Sequence, residues 1–388
     1  MRAIVIGGGV AGTAAALALR RVGVEVTIHE AYEDPAGDVG SFVSLASNGL
    51  RGLDALGYLE HIRAAGVDVP RQRMWSAGGR LLGDVPRGRR GSDPLHSVTL
   101  MRGQLVATLR AQAVATGARI VTGERFVDFT ETAEGVTAAF ASGRRERADL
   151  LEAADGIWST ARGLLDPATP RPRYAGLYTI SGVSSMDGVK PGVFNMTFAR
   201  HGAFLHLAAG EREVWWSAQV AEAVEPDRDG VTDAEWLRRA ANLYRREVVP
   251  SSVIAATIAL HPVVVMHAVD PVPTWHGDRV VLVGDAAHPV GAGQGAAMAV
   301  EDAVTLAAAL RAEPTIPAAL AAYEVERRPR IVKLLGAAED NRDAKRAGPV
   351  KRRLQALAMR AFVPLFYEKA TTWLYSYEPH RLREDTPR

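Results

Sequence analysis

Glycines near the start of the chain have the spacing of a nucleotide-binding turn. Gly7, Gly9 and Gly12 follow the pattern G-x-G-x-x-G, with Val10 and Ala11 inside it. The first glycine permits a tight turn, the second lets backbone N–H groups approach a pyrophosphate, and the third lets a helix pack closely on a strand. The motif therefore predicts a site for a dinucleotide.

The segments around this turn have the pattern of a βαβ unit. Short β-branched runs at residues 3–6 and 25–29 flank an Ala/Leu-rich helix predicted over residues 13–21. Glu30 ends the second strand, where an acidic side chain accepts hydrogen bonds from ribose hydroxyls. A glycine-rich turn in an unrelated α/β fold is the alternative, but it does not explain Glu30.

A second motif joins Asp155-Gly156 to Ser159 and Arg162. Asp155-Gly156 is typical of a tight turn that leaves a strand, and Ser159 is placed to cap the short helix that follows. The Arg162 guanidinium is suited to pairing with a carboxylate or a phosphate. Taken alone, a plain strand–turn–helix is the better interpretation of this motif.

A third motif begins at Asp285, directly after a buried strand predicted over residues 279–283. A carboxylate at that point can bind the hydroxyls of a ribityl chain. Gly293, Gln294, Gly295 and Ala296 then open an Ala-rich helix predicted over residues 295–311. The positive end of such a helix would stabilise negative charge on the pyrimidine edge of a reduced flavin.

Composition limits the other possibilities. The chain has 388 residues, 47% of them hydrophobic and 23% charged, with a formal net charge of +2. It has no cysteine, which excludes disulfides, thiol catalysis and cysteine-ligated metals. We expect no nucleic-acid partner, no metal and no transmembrane segment, and a cytoplasmic location. The apolar start enters the glycine turn directly, which favours a buried strand over a signal peptide.

The three motifs, in this order and over nearly the whole chain, resemble the group A FAD-dependent monooxygenases, which are built like p-hydroxybenzoate hydroxylase. The resemblance implies that Gly7, Gly9, Gly12 and Glu30 hold the ADP part of a non-covalent FAD, and that Asp285 holds its ribityl chain. By position it also implies cofactor contacts for Arg102, the backbone of Phe126, Asp155, Gly156, Gly293, Gln294, Gly295 and Ala296.

The resemblance also implies the architecture. It is an α/β fold with a Rossmann-like FAD-binding domain of the glutathione-reductase type, formed by residues 1–70, 98–168 and 268–335. A mostly antiparallel substrate-binding sheet, residues 71–97 and 169–267, is inserted into it, and residues 336–388 form C-terminal helices. Within these regions the sequence predicts a helix over residues 50–65, a hairpin over 72–84 and a helix break at Arg328-Pro329.

The implied reaction uses NAD(P)H as a transient co-substrate, because the sequence has no second Rossmann unit. Hydride transfer reduces the flavin, O2 adds at C4a, and the hydroperoxide hydroxylates or epoxidises a small aromatic or polyketide-like molecule. A non-oxygenating reductase of the same fold and a non-catalytic flavoprotein remain alternatives; a halogenase would need a lysine and tryptophan motif that is not found. The protein would be a monomer or a homodimer.

Possible catalytic bases are few, and none is assigned. His201, His206, Tyr174 and Tyr178 lie in the inserted sheet, but packing or surface roles are the better interpretation of each. His288 is expected to shape its loop. The adjacent residues Trp215 and Trp216 must point to opposite faces of a strand, and core packing is favoured over cavity lining for both.

Two features depart from the family pattern. The loop from residue 288 to 293 is shorter than usual, and Glu152 replaces an apolar residue in the strand before Asp155. If Glu152 is buried, its carboxylate needs a partner. The aromatic tail at residues 354–377 is expected to pack over its own domain, with a cavity lid, a dimer contact or membrane-surface binding as alternatives.

Overall fold

The chain alternates short helices and strands up to residue 165 and then enters a long, largely antiparallel sheet. The computed structural model describes residues 1–34, 41–291, 293–345 and 349–382. The elements of the first part are β1 (Arg2–Ile6), α1 (Val10–Arg21), β2 (Glu25–His29), β3 (Phe42–Leu45), α2 (Ser47–Leu56), α3 (Leu59–Ala65), β4 (Val67–Asp68), β5 (Arg71–Ser76), β6 (Leu81–Pro86), β7 (Val98–Met101), α4 (Arg102–Ala115), β8 (Arg119–Val121), β9 (Phe126–Thr132), β10 (Gly135–Phe140), β11 (Arg145–Ala148), β12 (Leu150–Ala153) and α5 (Thr160–Leu165).

The second part carries the longer strands and the C-terminal helices. Its elements are β13 (Arg173–Ser185), β14 (Val193–Ala199), β15 (Gly202–Ala208), β16 (Glu213–Ala221), α6 (Asp233–Tyr244), α7 (Val248–Ala255), β17 (Thr257–Ala268), β18 (Val280–Leu282), a 3₁₀ helix (Gly284–Ala286), α8 (Gly295–Ala312), α9 (Ile316–Lys345) and α10 (Pro349–Tyr375).

A parallel sheet in the order β18-β12-β1-β2-β8 forms the centre of the first unit. The four residues Ala3, Ile4, Val5 and Ile6 of β1 are all buried, because α1 covers one face of the sheet and the three-stranded sheet β9–β10–β11 packs on the other. Helix α1 packs between α4 and α8 above this sheet. The prediction of a parallel βαβ sheet is confirmed, and it brings the ends of β1, β2, β12 and β18 to one edge.

A seven-stranded sheet in the order β17-β13-β16-β15-β14-β5-β6 forms the second unit. All of its neighbouring strands pair antiparallel except β14 and β5, which pair parallel. This parallel pair joins the antiparallel hairpin β5–β6 to the rest of the sheet. Trp216 packs in the core beneath α6 and α7, stacked on Phe204 at 5.7 Å, whereas Trp215 stacks on Phe42 at 6.2 Å on the other face. The predicted opposite orientation of the two tryptophans is therefore confirmed.

Helices α6 and α7 inside this unit were not predicted, although α6 begins with a recognisable signal. Thr232 and Glu235 form a reciprocal capping box, in which the threonine accepts from the Glu235 backbone and the glutamate accepts from the Thr232 backbone. The two helices cover one face of the seven-stranded sheet, with Trp236, Tyr244 and Val253 in its core.

Two helix predictions are wrong. The segment at residues 50–65 is two helices, because Gly57 adopts a left-handed conformation (φ 84°) and ends α2. The helix break expected at Pro329 does not occur, and α9 runs through it. Side-chain bonds hold α9 on both sides of the proline: Arg327 binds Asp302 and Arg330 binds Glu301, which offsets the one backbone hydrogen bond that proline removes.

The C-terminal helix packs over its own chain, as the aromatic tail predicts. Val363 of α10 lies against Gly83 of β6, where a side chain at position 83 would come within 2.7 Å of it. Met359, Val363 and Tyr367 also cover the small core formed by Met74, Leu82 and Val85, and Phe198 packs against the same core. Across the part of the chain that the structure describes, none of the helices is long and apolar enough to span a bilayer.

Glu152 in β12 is completely buried between β1 and β18. Neither of its carboxylate oxygens has a hydrogen-bond partner among the described residues, so the expected partner is not found. Burial, helped by the negative charge of Asp302, raises the pKa of Glu152 to about 8. Glu152 is therefore a neutral carboxylic acid at pH 7.

We expect Glu152→Leu to flatten the pH dependence of stability. The pKa of Glu152 is 4.5 in the unfolded chain and about 8 in the folded one. The contribution of Glu152 to the free energy of unfolding is therefore fully present below pH 4.5 and is lost as the pH rises through 8. The loss approaches about 1.4 kcal/mol per pH unit in that window. Urea unfolding between pH 5 and 9 measures the free energy of unfolding of the wild type, of Glu152→Leu and of the control Glu134→Leu, which changes an exposed glutamate. Equal slopes of this free energy against pH in all three proteins would contradict the prediction.

Candidate functional site

The glycine turn after β1 is built as its spacing predicts. Gly7 has φ 102°, and a Cβ on it would lie 2.4 Å from the carbonyl oxygen of Ala154 at the end of β12. A Cβ on Gly12 would lie 1.9 Å from the Gly7 carbonyl oxygen, so only glycine lets α1 approach the strand. A Cβ on Gly9 would meet no atom within 4 Å. Protein atoms thus lie close to the turn at Gly7 and Gly12, whereas the space beside Gly9 is empty of protein.

The start of α1 offers unsatisfied donors to that open space. Gly9 is the N-cap and no side chain caps the helix, so the N–H groups of Val10, Ala11 and their neighbours have no side-chain acceptor there. The Thr13 hydroxyl donates to the Gly9 carbonyl at 2.7 Å, so it does not serve as the acceptor for the N–H groups at the start of α1. A helix N-terminus with free N–H groups and a positive dipole is a binding site for a phosphate group.

Glu30 closes the turn from the β2 side. Its Oε2 accepts from the Gly8 N–H at 2.7 Å and its Oε1 from the Tyr32 N–H at 2.9 Å. Each carboxylate oxygen has a second lone pair, so Glu30 can still accept from sugar hydroxyls. Phe126, the first residue of β9, is buried and packs against Phe140. Just before this strand, the Glu124 N–H donates to the Glu30 carbonyl at 2.9 Å.

The second motif lies beside the same turn. Asp155 Oδ2 accepts from the Ala161 N–H at 3.1 Å, and the predicted cap is present, with Ser159 Oγ accepting from the Arg162 N–H at 2.9 Å. Asp155 Oδ1 is buried without a partner among the described residues, and burial raises the pKa of this carboxyl. Gly156 has φ 77°, which favours glycine at the turn. The unpaired Oδ1 is a position at which a ligand hydroxyl or N–H could donate.

Arg162 links the second motif to the third. Its guanidinium donates to the main-chain carbonyls of Ala286 at 2.9 Å, Ile157 at 2.6 Å and Asp285 at 3.4 Å. The sequence predicted a carboxylate or phosphate partner, and the structure instead shows backbone carbonyls. Arg162 thereby holds the turn after β18 next to the turn after β12.

Asp285 lines a large cavity. Asp285 is exposed to the cavity that it lines, and desolvation by the surrounding protein raises its pKa although His288 and Arg102 oppose the shift. A Cβ on Gly295 would lie 3.5 Å from Asp285 Oδ1, so the carboxylate stands at the start of α8. Gln294 is the N-cap residue of α8, but its side chain makes no capping hydrogen bond. The positive N-terminus of α8 is therefore a second helix end that faces the cavity.

A cluster of buried charges behind this loop holds it in place, and the sequence did not identify it as a unit. His288 Nε2 lies 2.7 Å from Asp302 Oδ2, and the Gly284 N–H donates to the same carboxylate at 2.9 Å. Burial alone would raise the pKa of Asp302, but His288 and Arg327 outweigh it and hold the pKa at about 2. Asn48 extends the cluster by donating to Glu301 at 2.7 Å. His288 therefore shapes its loop, as expected.

The cavity has a volume of about 1620 Å³. That is larger than the roughly 300–1,000 Å³ that holds one drug-sized molecule, so it has room for a cofactor ring and a second ligand. The loop after β18, the inner face of the seven-stranded sheet and helix α10 form its walls. Of the residues predicted from the sequence, it brings together Arg102, Asp285, Gly293, Gln294, Gly295 and Ala296.

The possible bases predicted in the inserted sheet lie away from this cavity. Tyr178 is buried in the core, and Tyr174 donates to the Glu222 carbonyl at 3.0 Å. His206 is 5% exposed, and burial lowers its pKa to about 4. His201 is exposed at a turn. None of the four is among the described residues that line the cavity, and neither are Trp215 and Trp216.

Comparisons with known proteins agree with this geometry. A family model described as an FAD binding domain matches residues 1–338. The chain is 32% identical over 338 residues to an aurachin C monooxygenase/isomerase from Stigmatella aurantiaca, covering 84% of both chains. It is 31% identical over 348 residues to an FAD-dependent urate hydroxylase from Klebsiella pneumoniae, covering 85% of this chain and 87% of that one.

A solved structure shows the same fold. The HpxO protein of Klebsiella pneumoniae, crystallised with FAD and uric acid, superposes with a TM-score of 0.83 over 95% of each chain at 24% identity.

The turn geometry separates two glycine substitutions. Gly12→Val drives a side chain into the Gly7 carbonyl and is expected to cost about 4 kcal/mol or more of folding stability. Gly9→Val should fold, because Gly9 has extended backbone angles and open space around it, but should lose most bound FAD. Thermal unfolding and the flavin absorbance per protein test both. Full FAD content in Gly9→Val would show that the open space is not the cofactor site.

Proposed function

This chain belongs to the FAD binding domain family, and we propose that within it the protein is a monooxygenase. It uses NAD(P)H and O2 to hydroxylate or epoxidise a small aromatic or polyketide-like substrate. Relatives that match most of the chain are monooxygenases and hydroxylases by name, one of them an FAD-dependent hydroxylase, which supports this reaction class. The observation that carries the proposal is the single cavity shared by the loop after β18 and the face of the seven-stranded sheet.

The residues at the sheet edge fit FAD. The open space at Gly9 and the uncapped start of α1 would take the diphosphate, and Glu30 would take the adenosine ribose. Asp285, which is exposed to the cavity, would accept from the ribityl hydroxyls. Asp155 would contribute its unpaired Oδ1 nearby.

The remaining cofactor contacts would lie on the cavity side and at the adenine end. Gly293, Gln294, Gly295 and Ala296 would border the flavin ring at the start of α8, and Arg102, whose charge acts on Asp285, also lines the cavity. The backbone near Phe126 would meet the adenine.

The bound FAD supplies the redox chemistry: electrons from NAD(P)H are used with O2, one oxygen atom goes to the substrate and the other leaves as water. The protein's part is to hold the two reactants together and keep water out. Met74, Phe194, Phe198 and Met266 line the sheet side of the cavity, and Val363 of α10 covers it. Such a wall excludes water and strengthens the electrostatic interactions inside.

The chain offers little acid–base chemistry of its own at the cavity. The ionisable residues that line it, within the described ranges, are three arginines, one aspartate and two tyrosines. A substrate that is already electron-rich fits this wall better than one that needs a general base. The domain bounds stated above, with residues 71–97 and 169–267 selecting the substrate, remain part of the proposal.

NAD(P)H is proposed to bind only transiently. The described part of the chain has one parallel sheet, and its nucleotide edge is the one assigned to FAD. A nicotinamide cofactor must therefore reach the flavin through the cavity or at its mouth. A stable second dinucleotide site is not needed for such an exchange.

Asp285→Ala is expected to weaken FAD binding about 10- to 100-fold, the usual value of hydrogen bonds to a charged group. Titration of the apoprotein with FAD, followed by flavin fluorescence, measures the change. Asp278→Ala, which removes an exposed carboxylate just before β18, is the matched control and should bind FAD normally. Unchanged affinity in Asp285→Ala would remove the ribityl contact from the proposal.

The reaction itself is tested with ¹⁸O2. A substrate found by its stimulation of NAD(P)H oxidation should give a product heavier by one ¹⁸O atom when the label is in the gas. Label from H₂¹⁸O should not enter the product. Reduction of the substrate with no oxygen consumed would identify a reductase of the same fold instead.

A further inference from the structure

Helix α10 carries side chains that the cavity and the protein core do not use. Met359, Val363, Tyr367 and Leu374 line the cavity, so that side of the helix is covered by protein. Phe362 of the same helix lies between two of these residues in the sequence, yet it is exposed to solvent. The helix therefore has a second surface, which the fold does not explain.

Two adjoining phenylalanines form the centre of this surface. Phe362 is 58% exposed and Phe366 is 49% exposed, and their ring centroids are 5.8 Å apart. The other seven phenylalanines of the chain are all buried or half-buried. A single exposed hydrophobic residue is ordinary, but adjoining exposed aromatic rings on one element indicate a surface that binds a partner.

The surface continues along the helix towards its C-terminal end. Lys369 and Trp373 follow Phe366 at helical spacing, so they lie on the same side of α10. Lys369 is exposed, Trp373 is half-buried, and the Lys333 ammonium of α9 lies 4.3 Å from the centroid of the Trp373 ring. Phe362, Phe366, Lys369 and Trp373, with Lys333 beside them, are called the exposed stripe below.

The charge of α10 is positive. The helix has one acidic residue, Glu368, and five basic residues, which are Lys351, Arg352, Arg353, Arg360 and Lys369. The Glu368 carboxylate accepts from the Gly91 N–H at 3.0 Å, so it is turned towards the loop between β6 and β7. The exposed stripe thus combines aromatic rings with uncompensated positive charge.

This charge decides between the partners that such a stripe can have. A two-fold contact between two copies of the chain would bring one cationic helix against another, and like charges at an interface are repulsive. An anionic membrane offers both of the things that the stripe needs. Its surface is negative, which suits the lysines, and an apolar layer lies just beneath that surface, which suits the phenylalanines.

We propose that the exposed stripe of α10 binds the surface of an anionic membrane. Phe362 and Phe366 insert below the lipid headgroups, while Lys333 and Lys369 keep their ammonium groups at the level of the phosphates. Trp373 lies at the boundary between the two layers, where its amphipathic ring is favoured. The helix lies along the membrane and does not cross it.

The contact has a consequence for the cavity. Since α10 forms a wall of the cavity, a membrane bound at the exposed stripe would lie next to that wall. A lipophilic substrate could then pass from the bilayer to the cavity over a short distance. This consequence rests on the proposed function for the word substrate, whereas the membrane contact itself is argued from exposure and charge alone.

The test is co-sedimentation of the purified holoprotein with lipid vesicles. One set of vesicles is phosphatidylcholine, and the other is an equal mixture of phosphatidylcholine and phosphatidylglycerol. The protein should bind the mixed vesicles at least about 10-fold more tightly than the neutral ones, because several basic residues lie near the anionic headgroups.

Substitutions assign the binding to the exposed stripe. Phe362→Ser combined with Phe366→Ser should weaken binding to the mixed vesicles about 10- to 100-fold, whereas Ile258→Ser, which changes a residue 69% exposed on β17, should not. Lys369→Glu should weaken it about 5- to 30-fold. Lys190→Glu makes the same change of charge at an exposed lysine between β13 and β14 and should bind as the wild type.

All of these positions are exposed, so the variants should keep the FAD content and the thermal unfolding of the wild type. The proposal is overturned by a wild type that does not bind the mixed vesicles, by equal binding to neutral vesicles, or by binding that survives in the double phenylalanine variant. A dimer in sedimentation velocity that this variant abolishes, with no vesicle binding, would assign the stripe to a second copy and also overturn it.

Neither NAD(P)H nor a substrate is present in these measurements. Failure of oxygen transfer would therefore leave the result on membrane binding unchanged, and failure of membrane binding would leave the proposed reaction untouched.

Discussion

Two adjacent buried carboxylates on α8 are the constraint on which the rest of the site depends. Glu301 and Asp302 are both fully buried, and burying such charges is tolerable only when cations and hydrogen bonds meet them. Arg327 and Arg330 supply the cations from α9, and His288 supplies a further bond from the loop after β18. Arg330 also donates to main-chain carbonyls at the end of α10. One cluster thus joins three helices and the loop that faces the cavity.

The cavity follows from that junction. The start of α8 and Asp285 form one wall, the seven-stranded sheet forms another, and α10 closes over both. The cluster fixes α8 against α9 and α10, and the hydrophobic core that these helices share supports the same junction. The charged residues that line the cavity, within the described ranges, are few: Asp285 beside the start of α8, and the arginines Arg87, Arg102 and Arg200.

Local patterns predicted the geometry of the glycine turn well. Gly7 and Gly12 act through contacts with neighbours in the same βαβ unit, and their roles can be deduced from spacing alone. The helix break at Pro329 was wrong because distant carboxylates hold the helix on both sides of the proline. Arg87 gave no signal, since an arginine in a basic run after a hairpin is usually solvated. Its place at the cavity depends on strands and a helix that meet only in the folded chain.

The most direct test of the account is a crystal structure of the holoprotein. It should show the FAD diphosphate over Gly9 at the start of α1, the adenosine ribose at Glu30, and the flavin ring in the cavity between the start of α8 and the sheet. The Asp285 carboxylate should lie within about 3 Å of a ribityl hydroxyl, the length of a normal hydrogen bond. A diphosphate bound elsewhere, or a ring lying wholly outside the cavity with Asp285 free, would contradict the account.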